Sequence, residues 1–239
     1  EIQQHAISFL PSRYMLNNLK ILLGKSFNPA VGFRNSLIIS IGSTALAVYF
    51  SSLTAYALVA YDWKLRQPFF SFIMCVMMIP AQVTTIGFYQ MVYKIGMTNH
   101  LSMLILPAIA SPTMVFFMRQ YLQPTLSMEI VQSARIDGAK EFMIFNRIVL
   151  PIMKPAIATQ AIFSFVSSWN SLFTPLVLLT DQKKYTMPIM VSLLRGDIYK
   201  TEYGSVYLGL SLTVLPLIAV YLLLSKYIIA GVALGGVKG

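Results

Sequence analysis

The chain is predicted to be all-α, a polytopic transmembrane helical bundle, and three observations predict it. Of its 239 residues, 56% are hydrophobic and only 11% are charged, with a mean hydropathy of +0.68. Soluble domains carry about a quarter charged residues. Five runs contain no charged residue: 35–61, 67–93, 101–118, 155–180 and 203–225. Each meets or approaches the ~20 residues an α-helix needs to cross ~30 Å of hydrocarbon. The charges sit in the segments between these runs, as water-exposed connections require.

Taken in order, residues 1–33 form an opening segment with an amphipathic stretch at 9–23, expected to lie along a membrane face. The opening shows neither the basic n-region nor the apolar h-region of a signal peptide and reads as mid-loop. The first run carries Ser36, Ser40, Thr44, Ala47, Ser51 and Ala55 near four-residue spacing. Such a stripe lets helices approach closely in lipid, where packing drives association, so it is expected to be a helix–helix seam. Whether its mate lies in this chain or in another subunit is not encoded in the stripe. Prolines fall inside the later runs at Pro80, Pro175 and Pro216, and the short third run holds Pro107 and Pro112. Neighbouring helices can re-satisfy the carbonyls such residues free, so kinked spans are expected. Residues 62–66 form a short charged turn, 94–100 a polar turn with Gly96, and 181–202 a longer excursion with Lys183, Lys184, Arg195 and Asp197.

Several function classes are excluded. The net charge is +10, but the cations are scattered singly or in pairs, without the basic, aromatic-interleaved stripe of nucleic-acid binders. They suit bilayer surfaces and lipid headgroups instead. Cys75 is the single cysteine and lies in an apolar run, so an intrachain disulfide is impossible and no Cys-based metal site is expected. Gly24-Lys25-Ser26 looks like the end of a P-loop, but Leu19 stands where its first glycine belongs and no strand precedes it. Intramembrane hydrolysis needs a nucleophile–base set or paired carboxylates. All eight acids lie outside the apolar runs, and His5 and His100 lie at their edges. No catalysis and no cofactor are expected in this chain.

The segment 119–154 carries the most information. Residues 129–135 favour helix, Gly138 allows a bend, and Phe142, Phe145, Ile148 and Val149 follow at three- and four-residue spacing on one helical face. Pro151 is expected to end that second helix at Leu150. The reading is helix, glycine bend, helix, with an apolar stripe that a thin loop cannot cover and a partner groove would. For a substrate path the candidates are Tyr89, Trp169 and Asn170, aromatic or polar groups within or near the apolar runs, where such residues usually face the bundle interior. Charge does not orient the chain: nine of the 18 Lys and Arg fall on the loop side and nine on the other.

Ala134, Asp137, Gly138 and Ala139, followed at matching spacing by Ile148, Leu150 and Pro151, resemble the EAA loop of permease subunits in binding-protein-dependent ABC importers. Gln132 and Ser133 stand where that pattern has Glu and Ala. Further stretches are similar to the carbohydrate-uptake branch of the maltose type: 77–80 (MMIP), 116–122 (FFMRQYL), 147–156 (RIVLPIMKPA), 164–170 (SFVSSWN) and the tail 231–239 (GVALGGVKG). The resemblance implies a type I importer permease fold of six spans, five of them present and a sixth before Glu1. Residues 1–33 would then be extracytoplasmic and 34–239 the permease domain. It implies a second homologous permease, two ATP-binding subunits holding ATP and Mg, an extracytoplasmic solute-binding protein, and the bacterial cytoplasmic membrane. Gln132, Ser133, Ala134, Asp137, Gly138, Ala139, Phe142, Arg147 and Pro151 would couple to the ATPase, and so would Gly235, Gly236 and Lys238 in the tail. A passive channel or a non-transporting scaffold is the alternative.

Overall fold

The computed structural model describes residues 14–24, 28–193 and 203–235, and every regular element among them is helical. A short helix α1 (Met15–Gly24) precedes the longest buried element, α2 (Pro29–Ala60). Asn28 caps α2, its side-chain oxygen accepting from the Val31 N–H at 3.3 Å, and Pro29 occupies the first turn, where its missing N–H costs nothing. Then come α3 (Arg66–Met77), α4 (Ala81–Lys94), α5 (Ser102–Ile105), a 3-10 turn at Leu106–Ile109, and α6 (Pro112–Thr125).

The loop region follows: α7 (Met128–Ile136), α8 (Glu141–Ile144), a π turn at Phe145–Val149, and α9 (Leu150–Ile152). The remaining helices are α10 (Lys154–Trp169), α11 (Phe173–Leu178), α12 (Met187–Leu193) and α13 (Tyr203–Gly235).

Among the described residues, three helical stretches are long and apolar enough to span a membrane: α2, Ser102–Thr125, and Tyr203–Leu223 of α13. The pair Glu141–Ile152 and Lys154–Trp169, bent by 80°, makes a fourth if counted as one span. The run 67–93, expected as one span kinked at Pro80, is two separate helices of 12 and 14 residues. Pro80 causes the break: at φ −60° and ψ 130° it is extended, it has no N–H to continue the ladder, and it disfavours helix at Ile79. Pro216 behaves differently, and α13 runs through it.

The seam on α2 has its mates within this chain, since α2 packs on both α10 and α6. Ser36, Ser40, Ala47, Ser51 and Ala55 are all buried. Ser43 and Ser168 share a hydroxyl hydrogen bond at 3.1 Å, and Thr44 Oγ1 donates to Ser164 Oγ at 3.3 Å. Small side chains thus set the close approach, and two hydroxyl pairs satisfy one another across it, while Ser40 Oγ is buried without a partner.

At the end away from the loop, Asn99 holds three segments together. It adopts φ 61°, a conformation asparagine tolerates better than most residues. Its N–H donates to Leu178 O, its side-chain oxygen accepts from the N–H groups of Thr180 and Asp181, and its own carbonyl accepts from Lys184 Nζ at 2.6 Å. Buried Asn35 on α2 donates to the carbonyls of Lys183 and Tyr185, and Ser36 Oγ accepts from the Met187 N–H. The excursion expected at 181–202 is therefore anchored to α2 and continues into α12. Residues 194–202 lie outside the described residues, as does 1–13 of the opening segment. The rest of that segment, α1, packs on α13 with Leu22 fully buried and Asn18 O accepting from Ser205 Oγ.

Candidate functional site

Helix α7 ends on Asp137, and Gly138 follows at φ 78°, the left-handed region in which a side chain is strained. Two hydrogen bonds close the end of the helix: Gly138 N–H to Arg135 O, and Ala139 N–H to Ala134 O, both at 3.0 Å. This is the double-bonded glycine stop that turns a helix sharply. A Cβ at Gly138 would meet nothing within 4 Å. The glycine is needed for its backbone angle, not for space.

Across that bend lies an ionic bridge. Arg135, in the last turn of α7, donates through Nε to Glu141 Oε1 at 2.6 Å and through its terminal nitrogen to Oε2 at 3.4 Å. Tyr56 from α2 donates to the same Oε2 at 3.1 Å, and so does Tyr61 at the end of α2. The guanidinium also sits over the Tyr61 ring, 5.3 Å from its centroid. Arg135, aided by the tyrosine hydroxyls, holds the Glu141 carboxyl below the usual carboxylate range, and Glu141 in turn raises Arg135. The pair fastens α7 to α8 and both to the end of α2. Glu141 is the functional residue that sequence reasoning passed over. Its one local signal is a lone acid six residues after Arg135 across a glycine; its tyrosine partners lie 80 and 85 residues upstream.

The expected coupling residues come together on this hairpin. Gln132, Ser133, Asp137, Gly138, Arg147 and Pro151 are exposed, and Phe142 is 69% exposed. Ala134 and Ala139 are half-buried against the chain's own core. The expected apolar stripe splits. Phe145 and Val149 are fully buried in a cluster with Tyr56, Met118 and Met153, and Ile148 packs against it. Burial of Phe145 contributes about 2–3 kcal/mol by area. Phe142, Met143, Ile130 and Ile136 form the outward apolar surface instead. Pro151 does not end the helix at Leu150: the chain stays helical to Ile152 and turns at Met153. A π turn precedes Pro151, and its wider loop of backbone accommodates a residue with no N–H to give. Gly235 ends α13, while Gly236 and Lys238 lie outside the described residues.

A cavity of about 720 Å³ opens between α2, α4, the α5–α6 stretch, α10 and α11. Serine and threonine make up about half of its lining, among them Ser36, Ser43, Thr84, Ser164, Ser168 and Thr174, set among apolar side chains such as Phe88 and Phe163, with Gln160 the one amide and no charged side chain among the lining residues. Tyr89, Trp169 and Asn170 are not in that wall. Tyr89 packs on the Val92–Met103–Leu178 cluster. Trp169 is buried between Phe33 and Phe165, donating to Thr213 O at 3.0 Å. Asn170 is exposed at the end of α10. Of the hydroxyls named in that wall, only Ser36 was read from the residues, as part of the α2 packing seam.

An uncharged cavity among broken and bent helices, joined through α10 to a charged hairpin, defines a membrane permease subunit. A family described as the inner membrane component of binding-protein-dependent transport systems matches residues 47–233, and the chain belongs to that family. It is 36% identical to the arabinooligosaccharides transport system permease protein AraQ of Halalkalibacterium halodurans, over 100% of this chain and 86% of that protein. It is 34% identical to the melibiose/raffinose/stachyose import permease protein MelC of Bacillus subtilis, over 87% of this chain and 75% of that one. Among solved structures, a bacterial ABC transporter that imports the acidic polysaccharide alginate has the same fold. Its TM-score is 0.75 at 23% identity, covering 88% of this chain and 78% of that one.

Proposed function

We propose that this chain is one of two homologous permeases of an ABC importer in the bacterial cytoplasmic membrane, and that it carries a neutral oligosaccharide. The observation that carries the reading is the cavity: about 720 Å³, rich in hydroxyls, without a charged wall residue. That chemistry suits a ligand that is itself polyhydroxylic and uncharged, since a charged ligand in a site of this polarity would lack a counter-ion. The names of AraQ and MelC, which specify neutral oligosaccharides, support the same class.

The hairpin 119–154 lies in the cytoplasm and docks its exposed Phe142, Met143 and Ile136 in a cleft of an ATP-binding subunit. Two such subunits hold ATP and Mg; the second permease supplies the other wall of the pathway, and an extracytoplasmic binding protein delivers the sugar. Closure of the ATPase pair moves the hairpin, and the cavity alternates between inward and outward access because the two states bind sugar and nucleotide differently.

The test is purification of the complex in gentle detergent together with uptake of a sugar panel. Recovery of an ATPase and a second permease, with ATP-dependent uptake of a neutral oligosaccharide and not of glycerol 3-phosphate, is the expected result. Gly138→Asp is expected to reduce both ATPase recovery and uptake while the chain still inserts. Normal uptake by that variant overturns the coupling role.

A further inference from the structure

We propose that Arg66 and Arg119 form a clamp for the phosphate of an anionic phospholipid at the loop-side membrane boundary. Arg119 is the first charge after the apolar run 101–118, and Arg66 lies in the turn before the run 67–93, on the same side of the membrane. The Arg119 guanidinium sits over the Phe70 ring, 4.0 Å from its centroid, and Phe70 in turn stacks on Phe116. Phe70 follows Arg66 by one helical turn, so the ring that carries Arg119 lies on the same face of α3 as Arg66.

Among the described residues that positive charge is answered only in part, by one exposed carboxylate and one carbonyl on the Arg66 side. The Nε of Arg119 is buried without an acceptor. Arg66 donates to Tyr61 O at 3.2 Å and stands 3.8 Å from Asp62, whose side chain is 95% exposed and so screens it weakly. Helix α3 begins at Arg66 without a side-chain cap, so its first-turn N–H groups add positive potential at the same place. Trp63, Lys64 and Gln67 complete an open groove of about 440 Å³ with Asp62 and Arg66. Half-exposed Trp63 and Phe69 pair at 5.9 Å, the aromatic arrangement that sits at headgroup level. A planar guanidinium pinned on a ring is a pre-organised phosphate ligand, and basic pockets at this depth bind lipid headgroups.

The experiment uses the whole transporter, reconstituted in phosphatidylethanolamine vesicles with increasing phosphatidylglycerol, then extracted gently for native mass spectrometry of retained lipid. The expected result is retained phosphatidylglycerol whose affinity falls about fivefold for each guanidinium lost in Arg66→Gln and Arg119→Gln. Phosphatidylethanolamine retention is expected to stay unchanged. Should the double variant fail to assemble, Arg119→Lys keeps the charge but not the planar contact, and its affinity is expected to fall between the two. Equal phosphatidylglycerol retention in wild type and variants overturns the clamp. Displacement by inorganic phosphate alone makes it a free-anion site and overturns the lipid assignment. Loss of a partner subunit with lipid retention unchanged makes it a protein contact, which overturns it too.

Discussion

The two ends of the bundle are fastened by different chemistry. At the loop end an ionised pair, Arg135 and Glu141, joins three helix ends and leans on two tyrosine hydroxyls, with a third to a half of each charged side chain exposed. At the opposite end Asn99, Asn35 and Ser36 bind backbone groups, and one lysine donates to a carbonyl. Amide-to-backbone bonds fix position and respond little to salt. A half-exposed ion pair is weaker in water, screened by salt, and reversible. The difference places the rigid attachment beside the cavity mouth and the adjustable one at the hairpin.

The largest expected effect comes from breaking the loop end. Glu141→Ala strands Arg135 and two tyrosine hydroxyls together, and a cost of about 2–3 kcal/mol is expected. Uptake and ATPase recovery should fall by at least tenfold, measured in the same preparations. Retention of both would show that the hairpin is held by packing alone. Next in size is the opposite end, where Asn99→Val loses both the two-amide contact and the tolerance for φ 61°. About 2 kcal/mol of stability is expected to go, read as a lower unfolding temperature in detergent, with ATPase recovery unchanged.

Smaller effects sharpen the contrast. Because Gly138 needs only its backbone angle, Gly138→Asn is expected to cost a few tenths of a kcal/mol and Gly138→Val about 1–2 kcal/mol, compared by thermal unfolding. Equal losses would mean that the site is crowded after all. The smallest effect is with pH. Glu141 has a depressed carboxyl, so its contribution is complete above the ordinary carboxylate range and is lost as pH falls through its lower folded value. Between pH 7 and 5 no change is expected, and Glu141→Gln should remove the loss seen below about pH 4. A wild-type loss already present at pH 6 would point to a different titrating group.

Much of this was legible in the sequence, for physical reasons that also mark where legibility stops. The glycine bend could be read because a positive φ leaves few residue choices, and Asp137–Ala139 is local. Periodicity found the apolar face holding Phe142 and Phe145, but it reports a face and not what covers it. Phe145 turned inward to this chain's own core, and Phe142 outward. Pro80 marked a kink in the run 67–93, but composition could not show that the kink would open into a full break between two helices. The cavity wall was missed because serine and threonine look the same in a helix seam as around a solvent-filled space. Aromatic and amide residues drew attention to Trp169 and Asn170 instead, yet Trp169 already had a carbonyl partner 44 residues away.

The corner at Met153 has the geometry of a bell crank. Two arms share one backbone at 80°: Glu141–Ile152 on the hairpin side and α10 on the cavity side. By helix rise the arms are about 18 and 24 Å long. In the proposed coupling, motion along the hairpin arm would turn the other about the corner, and a turn of about 5° would carry the far end of α10 roughly 2 Å. Ser164 and Ser168 lie toward that far end, where a displacement of this size is enough to part their hydroxyls from Thr44 and Ser43. The latch between α2 and α10 is thus set at the place where the lever has its longest throw.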